Sequence, residues 1–143
     1  MSKEAREQAL KLLSVKMRCE REVREQLRRK GYSSADIADA IEYLYRFDYL
    51  DDLKYCEAFI HDRLNFNPCG RLKLLYDLQQ KGIERQIAEE AVEAFLPAET
   101  ERAIARRLWA KKAQQATETD KIKRYLSGKG FETELINSLD NDG

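Results

Sequence analysis

The sequence predicts an all-α protein of three tandem three-helix repeats, helix-turn-helix-like, in an elongated and curved array. Three observations carry the prediction. One motif is written three times, as LRRKGY at 27–32, LQQKGI at 78–83 and LSGKGF at 126–131. Its glycines lie 51 and 48 residues apart, a period typical of helical repeats. The composition favours helix, with 26 basic and 26 acidic side chains but only 6 glycines and 2 prolines. Apolar residues recur four apart, and no alternation is long enough to make a strand.

The first repeat, residues 1–47, opens with the amphipathic stretch AREQALKLLSVKM. Its second helix sets Val23 four residues before Leu27, which puts both on one face. Gly31 ends that helix, because glycine takes the left-handed conformation without steric cost. The Lys before it sits at the negative end of the helix dipole. SSAD then caps a third helix with apolar positions at Ile37 and Ile41. This first copy reads as carrying one extra residue in the turn.

The second repeat, 48–97, starts its long helix at Asp51-Asp52, an N-cap followed by a first-turn acid. Its short helix, RLKLLYDL, places Leu72, Leu74, Leu75, Tyr76 and Leu78 around most of its circumference. That suits a unit held between two others. Leu74 pairs with Leu78 before Gly82, and Ile87 with Ala91 after it. The third repeat, 98–143, repeats the order: ETERAIARRLWAKKAQQ, then Ile122 and Leu126 before Gly130, then Leu135 and Leu139. A unit of this size buries too small a core to be stable alone, so neighbours share apolar faces. Gly31, Gly82 and Gly130 are therefore structural turns. None sits in a GxxxxGK[ST] or GxGxxG context, so none cradles phosphate.

Several functions are excluded on residue grounds. No apolar run approaches a membrane span, and MSKEAREQ lacks a signal peptide's apolar core, which implies a cytoplasmic protein. Cys19, Cys56 and Cys69 are odd in number and have no CxxC spacing, so neither a disulfide framework nor a metal site is expected. His61 is the single histidine, with no second ligand at useful spacing. No nucleophile–base pair is visible, so no enzyme, cofactor or small-molecule substrate is expected. Trp109 and the tyrosines at 43, 45, 49 and 55 read as core residues.

Net charge is zero, but it is unevenly spread. Residues 16–30 carry seven basic groups against three acidic, and 99–130 carry nine against four. Residues 31–98 carry seven against thirteen, so two basic ends flank an acidic middle. Arg21, Arg24 and Arg28 form one stripe opposite Val23 and Leu27. Glu20, Glu22 and Glu25 are interleaved, so a solvated, internally paired face is the alternative there. Arg106, Arg107, Lys111 and Lys112 run along one helix, and Lys121, Lys123 and Arg124 open the next. These ten are the candidate contacts for a partner or for DNA phosphate.

The stretch RCEREVREQLRRKGYSSADIADAIEYL resembles the first module of the RecX family, bacterial regulators of the RecA recombinase. FDYLDDLKYCEAFI resembles that family's Gly-Tyr-Leu-Asp-Asp signature, with Asp48 in place of the glycine. GRLKLLYDLQQKGI is similar to its second-module motif and KIKRYLSGKGF to its third. Two departures lie in the middle: Leu75 stands where relatives often carry a basic residue, and Cys69-Gly70 occupies a loop usually rich in Gly and Pro. The resemblance implies a non-enzymatic regulator that binds the RecA filament, with single-stranded DNA beside it. It also implies inhibition of the filament's recombinase, ATPase and coprotease activities, in DNA repair and the SOS response. A helix-turn-helix DNA-binding protein acting without a recombinase is the alternative.

Overall fold

A computed structural model describes residues 2–116 and 118–142. The described residues form nine helices and no strand: α1 Ser2–Val15, α2 Glu20–Arg29, α3 Ser34–Arg46, α4 Asp52–Phe66, α5 Arg71–Gln80, α6 Arg85–Phe95, α7 Ala98–Ala113, α8 Thr119–Gly128 and α9 Thr133–Asp142. The closest helix packing falls within three successive triads, α1–α3, α4–α6 and α7–α9, with the α5–α6 and α8–α9 pairs matching α2–α3. The accessible surface is 9120 Å², against about 7,600 Å² for a compact monomer of this mass. The array is elongated.

Each Leu-x-x-Lys-Gly-apolar motif is a Schellman turn. Gly31, Gly82 and Gly130 have φ of 91°, 94° and 91°. Two bonds close each turn. Gly31 N–H donates to the Arg28 carbonyl at 3.0 Å and Tyr32 N–H to the Leu27 carbonyl at 3.3 Å. Ile83 and Phe131 make the same long bond to Leu78 and Leu126. The motif's leucine therefore supplies the acceptor and the apolar residue after the glycine packs back on it, which is why the spacing is fixed.

Val23/Leu27, Leu74/Leu78 and Ile122/Leu126 are all buried, as their spacing predicts. The third helices differ from expectation. All three begin three residues past the glycine, so no copy has an extra turn residue. The buried positions six and nine past the glycine are Ile37 and Ala40, Ala88 and Ala91, Ile136 and Leu139. Ile87 and Leu135 are only partly buried at the rim. α5 is also less enclosed than its composition suggests, since Leu72 and Tyr76 are 47% and 59% exposed.

The core is in two pieces. One joins α1–α3 with Leu50, and the other runs continuously through α4–α9. Cys19, at the start of α2, belongs to the second piece. The start of α2 rests on the Gly82 turn, and the start of α5 rests on the Gly130 turn. An acid from the next long helix braces each junction. Asp52 accepts from Glu20 N–H at 3.0 Å, and the buried Glu101 accepts from Arg71 N–H at 2.8 Å.

Candidate functional site

α2 carries the first predicted stripe along a groove of 680 Å³ between the first two triads. Arg21, Arg24 and Arg28 line it, but so do Glu20, Glu25, Asp52 and Glu84. Arg24 binds Glu20 at 2.8 Å and Arg21 binds Glu25 at 3.1 Å. Arg21 also donates to the Gln80 carbonyl. Burial pushes Glu20 up, but hydrogen bonds from Arg24 and Tyr45 outweigh it and hold this carboxylate below its ordinary range. Four carboxylates against three guanidiniums leave no net attraction for phosphate. Arg28 alone of the stripe has no ion pair among the described residues.

Beyond Arg28 the exposed Arg29 and Lys30 complete a basic rim around the Gly31 turn. The sequence reading passed over these two. Helical spacing could not have singled them out, because Glu25 stands four residues from both Arg21 and Arg29, and only the structure shows that it pairs with Arg21.

The second predicted group divides in the same way. Arg106, Arg107 and Lys111 are exposed on the outer side of α7. Lys112 turns inward instead, its ammonium 4.9 Å from the centre of the Tyr125 ring. Lys123 is paired with Asp140 at 3.1 Å, and Lys121 lies 4.0 Å from Glu118. Arg107, Lys111 and Arg124 are exposed and have no ion pair among the described residues.

Burial pushes the Cys19 thiol up to about 11 and the Cys56 thiol to about 12, and raises Cys69 as well. Protonated thiols are poor nucleophiles. His61 Nε2 lies 3.2 Å from the Asn65 side-chain amide on an exposed face. No group of three or more His, Cys, Asp or Glu among the described residues could hold a metal ion. Among the described residues no helix is long and apolar enough to cross a membrane. Trp109, Tyr43 and Tyr55 pack against the cores, but Tyr45 and Tyr49 are 39% and 55% exposed, contrary to the core reading. Tyr45 instead donates to Glu20 at 2.8 Å along the α2 groove.

Known proteins match this architecture along its length. A family model described as RecX, first three-helix domain, matches residues 5–44, and one described as RecX, second three-helix domain, matches 51–92. A regulatory protein RecX from Caldanaerobacter subterraneus subsp. tengcongensis is 33% identical over 94% of this chain and 68% of its own length. One from Prosthecochloris aestuarii is 31% identical over 94% of this chain and 90% of its own. A Clostridium botulinum relative is spanned over 66% of its length, so the chain covers about two thirds of some relatives. The crystal structure of RecX from Lactobacillus salivarius superposes with a TM-score of 0.92 at 25% identity, covering 99% of this chain and 95% of that one. With three helical triads in the same order and this likeness across nearly all its residues, the chain belongs to the RecX family of regulatory proteins.

Proposed function

We propose that the protein binds the filament of the RecA recombinase and restrains its recombinase, ATPase and coprotease activities, acting in the cytoplasm and without chemistry of its own. Family membership supports the choice of partner. The observation that carries the binding mode is the placement of unpaired cations at two separated parts of an elongated frame. Arg28 lies on the first triad, and Arg107, Lys111 and Arg124 lie on the third. Several weak patches on a semi-rigid frame reinforce one another through effective concentration when the partner repeats at matching intervals. A helical filament repeats in that way; a small globular partner does not.

The test follows ATP turnover by RecA on single-stranded DNA as the protein is added. Turnover should fall, and more weakly at high salt, because exposed charges are screened. Reversing Arg107, Lys111 and Arg124 to Glu should weaken inhibition about tenfold or more without lowering the melting temperature. Unchanged turnover with the parent protein, together with tight and sequence-selective binding to free duplex DNA, would replace this reading with the DNA-binding one. The α2 groove argues against that alternative, because carboxylates already neutralise its arginines.

A further inference from the structure

The last turn of a helix leaves backbone carbonyls without helical partners. At two of the three glycine turns the chain itself supplies donors. The Cys19 thiol donates to the Lys81 carbonyl and the Arg21 guanidinium to the Gln80 carbonyl, both at 3.3 Å. Gly70 N–H donates to the Lys129 carbonyl at 2.8 Å, and Leu72 N–H to the Gly130 carbonyl at 3.0 Å. Both contacts depend on the missing side chain. A Cβ on Gly82 would lie 2.7 Å from Arg21 Cβ, and one on Gly130 would lie 2.5 Å from Lys73 N.

Gly31 has the same left-handed φ and the same closing bonds, yet nothing lies within 4 Å of where its Cβ would be. Its turn is the uncovered member of a set whose other two members each hold the start of a helix. We propose that the Gly31 turn is a docking site for the first turn of an α-helix on the partner protein, one that begins with a small residue and carries acidic side chains.

The two internal junctions define that occupant. The docked helices begin at Cys19 and Gly70, and a Cβ on Gly70 would already lie 2.4 Å from the Gly130 carbonyl oxygen. Only a small N-cap lets backbone and thiol donors reach the turn. Arg28, Arg29 and Lys30 rim the Gly31 turn, and acids are the side chains favoured both beside them and in a helix's first turn. A second copy of this chain fits poorly. The remaining second helix, α8, has Glu118 as its N-cap, where the docked helices have Cys or Gly.

The docking site rests on the recombinase reading above, and the test separates the two. Gly31→Asn places a side chain in the open space, while asparagine tolerates left-handed backbone. The variant should melt as the parent does and bind RecA filaments on single-stranded DNA about tenfold more weakly or worse. In the unaltered protein, amide exchange at Gly31 and Tyr32 should slow when filament is added. Equal filament binding by both proteins, or unchanged exchange at those amides, overturns the docking site and leaves the recombinase reading standing. No filament binding by the parent overturns both. Concentration-dependent self-association of the parent that Gly31→Asn abolishes would also overturn it, with a second copy as the occupant.

Discussion

Asp48 is the one non-glycine residue with positive φ among the described residues, at 59°. It closes α3 as the glycines close the short helices: Asp48 N–H donates to the Tyr45 carbonyl and Tyr49 N–H to the Leu44 carbonyl. This position holds left-handed backbone, which favours glycine, and aspartate is among the few other residues that tolerate it. Asp48→Gly should therefore stabilise the protein by ~1 kcal/mol, raising the melting temperature by about 2–4 °C. A lower melting temperature would mean that the Asp48 side chain contributes more than the strain costs. Glu101 makes the opposite kind of case, since it is buried and charged with one backbone donor. Burial raises its pKa, more than the Arg71 N–H lowers it. The folded state thus holds the Glu101 proton more tightly than the unfolded chain does. Its contribution is complete below the ordinary glutamate range and is lost as pH rises through the raised folded value. The parent's stability advantage over Glu101→Gln should shrink as pH rises from about 4 to 7. Denaturant titrations at the two ends of that range check the sign, and an advantage that grows with pH would contradict it.

Local chemistry fixes the glycine turns, and that is why they were legible: a left-handed residue, a lysine before it and an apolar lid are all near neighbours in sequence. The register of α6 and α9 was not legible in the same way. Ile87 and Ala88 are adjacent and both apolar, as are Leu135 and Ile136, so periodicity alone admits either face. Packing chose Ala88 and Ile136, the positions equivalent to Ile37, because all three third helices leave their turns identically. Charge was half legible. The interleaved glutamates on α2 foretold pairing, but the inward turn of Lys112 onto Tyr125 joins two helices and has no local signal. The turns also differ in what covers them, which sets an order of cost. Gly31→Ala meets open space and should cost only the left-handed penalty, ~1 kcal/mol. Gly82→Ala must also displace Arg21, so ~2 kcal/mol is expected. Gly130→Ala runs into the Lys73 backbone and disturbs the bonds from Gly70 and Leu72, so roughly 3 kcal/mol or more is expected. Melting temperatures of the three variants test this order, and three equal losses would mean that the helix starts do not rest on the turns.

At the scale of the whole molecule, the continuity of the core decides how the array comes apart. The second and third triads share one apolar cluster, whereas the first has its own. The joint between them is mostly polar: Glu20 N–H to Asp52, Arg21 to the Gln80 carbonyl and the Cys19 thiol to the Lys81 carbonyl. Such bonds contribute about 1 kcal/mol each, net of the water they replace. Apolar burial contributes about 25 cal/mol per Å² and scales with the contact, so the boundary carrying least of it is the weakest. Repeat proteins divide at their weakest interface, since each unit is held only by its neighbours. Helices α1 and α3 should therefore open as a unit at a lower free energy than α5 and α8. Native-state hydrogen exchange in rising denaturant measures this directly, because amides of one cooperative unit converge on one opening free energy. The amides around Ala9 and Ala40 should converge below those around Leu78 and Leu126, which should track global unfolding together. Cys19→Ala removes the thiol donor across the joint without adding bulk to the buried site, so it should lower the first value and leave the second in place. A single opening free energy for all four regions would show that the polar joint couples the triads as strongly as a continuous core.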